Sequence, residues 1–309
     1  MAVEQNKSCE ESRGTPDEAV MNSWFPGHMA KAGQVIKKYI AGVDLIIEML
    51  DARIPRTSRN PKIKTIIKNK PQIVVLAKYD LAEPKETKAW IDILKADAIS
   101  CYAVNAETGE GVKDLISGTS RISEDFMLEL GKRKRRPRPF RIMVVGIPNV
   151  GKSSLINRIA GRKSARTGAK PGITRGKQWI RVGRAIDLLD MPGVLSPGMS
   201  DSESLFKLAV TGALDEGSFD RVEVARTLLG ILKDKAYHSL VSRFKPDDIE
   251  HPDNYKILQS IGKSRGCLGS GGTIDISRAA AIVISEFRKG LLGRITLDSA
   301  INNGLEEKL

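Results

Sequence analysis

Cysteine is scarce: Cys9, Cys101 and Cys267 are an odd number in 309 residues, set far apart, with no C-x-x-C pair and no cysteine–histidine cluster. Neither a disulfide framework nor a structural zinc site is indicated, and a reducing compartment is expected. Aromatic residues make up only 5%, which argues against base stacking on aromatic platforms and for phosphate tracking on folded nucleic acid. No apolar run reaches the roughly 18 residues of a membrane span, and the opening MAVEQNKSCEESRGTPDEAV has no apolar signal core. A cytoplasmic chain with no membrane partner is expected. Acidic residues are also in deficit, 37 against 50 lysines and arginines, a net charge of +13. Such a balance favours polyanionic partners. What is present is ample core material: 41% hydrophobic residues in 309 exclude a disordered tail protein and suggest about two domains at roughly 150 residues each.

Residues 1–21 are polar, without apolar periodicity, and read as a flexible leader. Beyond them, Ala32, Val35, Ile36, Tyr39 and Ile40 have helical spacing that stops at Gly42, and VDLIIEML follows as a buried strand. IVVLA (73–77), a helical stretch from Pro84 to Ala96, and ISCYAV (99–104) repeat the alternation. RIMVVG (141–146), a helix from Lys152, and the strands QWIRVG and AIDLLD continue it. The expectation is an α/β domain over 22–200, a mostly parallel sheet with helices on both faces. The basic run KRKRRPRPFR (132–141) reads as the seam between two halves of that sheet. After Asp201 only helical faces remain, such as Ala225, Leu228, Leu229 and Leu232, so 201–309 is expected to be a small all-helical domain.

Gly146-Ile-Pro-Asn-Val-Gly-Lys-Ser153 fits the phosphate-binding pattern G-x-x-x-x-G-K-[ST] between a strand and a helix. Backbone N–H groups of Asn149, Val150, Gly151, Lys152, Ser153 and Ser154 are candidates to wrap the phosphates. Lys152 would reach the β/γ oxygens and the Ser153 hydroxyl would ligate Mg²⁺. Thr174 in KPGITRG and Asp190-Met-Pro-Gly193 resemble the two switches of a translation-factor-type GTPase. In that likeness Thr174 and Asp190 serve Mg²⁺ and the Gly193 amide senses the γ-phosphate. No N-K-x-D motif follows Gly193. Upstream, Ala77-Lys78-Tyr79-Asp80 ends a strand, with Lys78 and Asp80 as guanine-loop candidates, and Asn105-Ala106-Glu107 resembles the second base loop. Both base loops thus precede the phosphate loop, a circular permutation of the usual order.

With WFPGHMAKA (24–32), DARIPRTSRNP (51–61) and FRKGLLGRITLD (287–298), the chain from Ser23 onward resembles the YlqF/YawG-type circularly permuted GTPases. The resemblance implies a circularly permuted P-loop GTPase domain and a helical domain that contacts ribosomal RNA. It also implies GTP binding and hydrolysis, stimulation by the large ribosomal subunit, and release once GTP is hydrolysed. The family begins its base loop with asparagine, where this chain has Ala77, so guanine affinity is expected to fall while preference survives.

The residue after the D-x-x-G glycine, a water-orienting glutamine in Ras-like enzymes, is here Val194. By resemblance the catalytic group is His28, in F-P-G-H-M, acting with Lys152; a histidine there can equally cap a helix or touch RNA. Asn149 matches the asparagine that ligates K⁺ in potassium-stimulated relatives, or shapes the loop. The basic run is open to three readings: RNA phosphate contact, a solvated linker and a nuclear localisation signal. Lys263, Arg265, Arg278, Arg288, Lys289 and Arg294 are expected to give the C-terminal helices a basic side. Two other functions remain: a nucleotide-gated RNA-binding placeholder that scarcely hydrolyses GTP, and the GTPase partner of an RNA-modification system. A monomer is the default.

Overall fold

The structure, a computed structural model, describes residues 36–60, 65–67, 70–161, 178–183, 185–193 and 201–300. His28, Thr174 and Val194 lie outside the described residues. Six strands form one sheet: β1 (Leu45–Asp51), β2 (Gln72–Ala77), β3 (Ser100–Val104), β4 (Phe140–Gly146), β5 (Gln178–Val182) and β6 (Ile186–Asp190), in the order β3-β2-β1-β4-β6-β5. Every pairing is parallel except β5 with β6. Only three residues separate those two strands, too few for a crossover, so they form an antiparallel pair at the sheet's edge.

Alternation along the strands sorts the core. Leu45, Ile47 and Met49 of β1 join Ile73 and Val75 of β2 on one face, covered by α3 (Val112–Lys132) and α4 (Lys152–Ala160) through Val112, Leu115, Leu155 and Ile156. On the opposite face Ile46 meets Ile36 and Val43, while Leu50, Val74 and Leu76 meet Trp90 and Leu94 of α2 (Pro84–Lys95). Burial on both faces explains why these strands read as continuous apolar runs. The one-turn α1 (Pro55–Ser58) follows β1.

The chain then forms α5 (Ser202–Thr211), α6 (Arg221–Lys235), α7 (Tyr237–Phe244), α8 (Asn254–Ser264) and α9 (Ile276–Arg288). Their apolar sides, including Leu228, Leu232, Ile257, Val283 and Phe287, belong to the same core cluster as the α3/α4 face of the sheet. Among the described residues no helix is long and apolar enough to cross a membrane.

Candidate functional site

Strand order reverses between β1 and β4, so the carboxyl ends of these neighbours flank a crevice of the kind where open α/β sheets take ligands. The strands end at Val104, Ala77, Asp51, Gly146 and Asp190, reading across the sheet. The candidates from both halves of the sequence therefore meet at one edge, although the two base loops and the phosphate loop are far apart in the chain.

The phosphate loop turns from β4 into α4. Buried Lys152 donates from Nζ to Gly146 O at 3.1 Å and to Ile147 O at 2.7 Å, which fixes its ammonium inside the loop. Burial lowers its pKa to about 8, against the opposing pull of Asp190. The Ser153 hydroxyl donates to Asp190 Oδ2 at 3.2 Å, and Asp190 Oδ1 is buried without a hydrogen-bond partner. Burial raises the Asp190 carboxyl, with Lys152 and Ser153 opposing. A hydroxyl and a carboxylate with an orphaned oxygen, both at the phosphate mouth, are a donor set that fits Mg²⁺. Gly193 lies against the same loop: a Cβ there would stand 2.7 Å from Pro148 N and Cα, so only glycine allows this approach.

Asn149 has φ 55°, a left-handed conformation that asparagine tolerates better than most residues. Its Nδ2 donates to Gly212 O at 2.8 Å, just beyond the end of α5. The carbonyls there draw further donors. Arg288 reaches Val210 O at 3.1 Å and Ala209 O at 2.8 Å, and Arg53 reaches Thr211 O at 3.3 Å. Cations at a helix carboxyl end complement its dipole, and here Arg53 ties the end of β1, and the neutral Asn149 amide the P-loop, to the helical region.

On the base side, Lys78 also adopts a left-handed φ of 55° and opens the turn Tyr79–Leu81 that carries Asp80. Its ammonium donates to Asp51 Oδ2 at 3.2 Å. Asp51 in turn receives Arg53 through Nε at 2.9 Å, Nη2 at 2.7 Å and the backbone N–H at 3.1 Å. Burial alone would raise the Asp51 carboxyl; the Arg53 and Lys78 charges outweigh it and hold it well below the usual carboxylate range. Asp51 and Arg53 are site residues that the sequence reading missed, although their segment DARIPRTSRNP carried the family likeness. Asn105 Oδ1 accepts from Glu107 N at 2.8 Å and Thr108 N at 3.1 Å, so its side chain shapes the second base loop. Arg158 of α4 donates to Ala106 O at 3.1 Å and to Glu107 O, stapling that loop to the phosphate-loop helix. No sequence motif marks Arg158.

The basic surface divides by geometry. In the seam, Arg138 forms a fork with Asp44 at 2.7 and 2.6 Å and lies over Phe126, while Lys132 and Arg133 pair with Glu129. Lys134, Arg135 and Arg136 are exposed. In the helical region the expected basic side is thinner. Arg288 is engaged at the end of α5, Arg265 pairs with Glu286, and Arg294 donates to Tyr79 O and Ala82 O. Lys263, Arg278 and Lys289 remain exposed, Lys263 beside Asp247 at 3.5 Å. His251 is part of a local turn, accepting from Asp253 N at 3.0 Å.

Comparison with known proteins finds ribosome-associated GTPases. A family described as "50S ribosome-binding GTPase" matches residues 141–246. The chain is 42% identical over 276 residues to the ribosome biogenesis GTPase A of Priestia megaterium, covering 89% of this chain and 96% of that one. It is 34% identical to the mitochondrial ribosome-associated GTPase 1 of Mus musculus, covering 90% of each. The GNP-bound structure of YlqF from T. maritima superposes with a TM-score of 0.61 at 24% identity, over 87% of this chain and 98% of that one, a likeness of fold. The chain belongs to the ribosome biogenesis GTPase A family.

Proposed function

We propose that the chain is a GTP-hydrolysing assembly factor for the large ribosomal subunit, binding its RNA in the GTP state and leaving after hydrolysis. The observation that carries the reading is the meeting of Lys78 and Asp80, the second base loop, the Lys152 loop and Asp190 at one sheet edge in permuted order. In this reading Asp80 accepts hydrogen bonds from guanine, with Lys78 alongside and the Asn105–Ala106 loop closing the base side. Backbone amides of Asn149 through Ser154 and the Lys152 ammonium hold the phosphates. Ser153, Asp190 and Thr174 would hold Mg²⁺, which when bound neutralises charge on the phosphate oxygens. Asn149 would offer its carboxamide oxygen to K⁺, the amide nitrogen being committed to Gly212 O. Gly193 reports the γ-phosphate, and His28 orients water.

The exposed Lys134, Arg135 and Arg136, with Arg278 and Lys289, supply phosphate contacts to ribosomal RNA. The protein acts as a monomer in the cytoplasm, with both the subunit and K⁺ stimulating turnover. The test is phosphate release from GTP in K⁺ buffer, with and without isolated large subunits, under excess ATP. Stimulation by subunits that ATP does not suppress is expected. Slow turnover indifferent to subunits would replace this reading with the nucleotide-gated placeholder.

A further inference from the structure

We infer that the C-terminal strap Gly290–Ala300 is an outer brace of the base-recognition turn, with Arg294 and Asp298 as positioning residues for guanine selection; this rests on the reading of Asp80 as the base acceptor. Position 77, where the N-K-x-D pattern has a polar amide, is Ala77, buried at the end of β2. The turn that follows is entered through left-handed Lys78, a backbone state that persists only when its surroundings enforce it. Lys78 itself is tied to Asp51, and the turn beyond it is braced by the strap. The Arg294 guanidinium spans the turn, Nη2 donating to Tyr79 O and Nε to Ala82 O, both at 2.8 Å. Ile295 N donates to Leu81 O at 3.0 Å, and Thr296 Oγ1 accepts from Glu83 N at 3.0 Å. Consecutive strap residues thus satisfy backbone groups on both sides of Asp80. At the strap's start, Gly290 lies so close that a Cβ would stand 2.6 Å from Leu81 Cδ2.

The far end of the strap is anchored with equal care. Buried Asp298 accepts from Thr57 N at 2.7 Å, Thr57 Oγ1 at 3.0 Å and Lys207 Nζ at 2.8 Å, while its carbonyl accepts from Trp90 Nε1 at 2.9 Å. Leu297 N donates to the carbonyl of Arg53, the residue that holds Asp51 and, through it, Lys78. Lys207 stands on α5, the first described helix after Gly193. The strap therefore joins the base turn, the Asp51–Lys78 pair and the helix behind the phosphate sensor. Guanine selection in this chain depends on residues more than two hundred positions away from Asp80.

The experiment is competitive titration of a fluorescent guanine nucleotide with GTP, ITP, which lacks the guanine 2-amino group, and ATP. Wild-type protein is compared with Arg294→Ala, Arg294→Lys and Asp298→Asn, each checked for an unchanged fold by circular dichroism. Arg294→Ala is expected to weaken GTP about tenfold, the order of two lost hydrogen bonds, ITP, which keeps the N1–H donor, by less, and ATP hardly at all. The preference for guanine contracts, KM for GTP rises, and kcat at saturation holds within about twofold. Arg294→Lys, which reaches one carbonyl, falls between, and Asp298→Asn follows the same direction more weakly. Adding Ala77→Asn to Arg294→Ala recovers most of the lost preference. Equal losses for all three nucleotides, or no recovery with Ala77→Asn, would overturn the proposal while leaving the base assignment intact. A wild-type protein without preference for GTP over ATP would overturn the base assignment first, and the strap's role with it.

Discussion

At the scale of single residues, the phosphate edge is held by charge in a small, buried space. Lys152 is the ammonium inside the loop, its position set by two loop carbonyls, and bonds from a charged donor are worth about 1.5–3 kcal/mol each. Lys152→Ala is expected to raise the Kd for GTP at least about 100-fold, since about 1.4 kcal/mol is a factor of ten; equilibrium dialysis would show it, and an unchanged Kd would remove Lys152 from the site. Asp190 makes a second case. Its unpartnered Oδ1 and its bond from Ser153 are the grounds for proposing it as a carboxylate that serves Mg²⁺. Chelating Mg²⁺ should weaken GTP binding by wild-type protein, whereas Asp190→Asn should bind GTP with nearly the same affinity in Mg²⁺ and in EDTA. An Asp190→Asn variant as sensitive to EDTA as wild type would place the metal elsewhere.

At the scale of elements, legibility follows the strength of the local signal. The strands are plain in the sequence because burial on both faces leaves unbroken apolar runs, and α2 because Trp90 and Leu94 share a face. The pattern of α3 is fainter: Val112, Leu115 and Thr119 are buried at helical spacing, but serines and glycines dilute it below what marks a helix in the sequence alone. The phosphate loop is a contiguous motif and stands out. Asp51 and Arg158 do not, because each acts on loops far along the chain and only the sheet order brings them together. Four C-terminal helices begin at aspartates, Asp201, Asp220, Asp253 and Asp275, whose carboxylates accept first-turn N–H groups. Asp275→Ala should cost about 1 kcal/mol of stability, seen as a lower urea midpoint with GTP affinity unmoved. Arg158→Ala should do the reverse. It frees the second base loop from α4, so GTP affinity should fall severalfold, at about 0.5–1.5 kcal/mol per bond, with little change in the midpoint. If the two variants exchanged these phenotypes, the assignment of cap and staple would fail.

At the scale of the whole molecule, the sheet edge and the helices form one mechanical unit because the carboxyl end of α5 is shared. Asn149 of the phosphate loop, Arg53 of the β1 end and Arg288 of α9 all donate to carbonyls between Ala209 and Gly212. A change at the phosphates can thereby reach α9 through one helix end. The seam leads from α3 into β4, which puts its exposed cations on the sheet side of this unit, with Lys132 and Arg133 sharing Glu129 and Arg138 paired with Asp44. Of the seam's cations, the exposed Lys134, Arg135 and Arg136 are those proposed above for phosphate contact. Counterion release makes the number of such contacts measurable, since each neutralised phosphate adds about 0.9 to the slope of log affinity against log salt for a duplex. Replacing all three by alanine should lower the slope for binding large-subunit RNA by about 2 to 3 and leave GTP affinity in the absence of RNA unchanged. Replacing Arg138 alone should leave the slope nearly as it was and lower stability instead, because its guanidinium is spent on Asp44 and Phe126. A triple variant with an unaltered slope would mean that the seam is a solvated connector and that the helices alone meet the RNA.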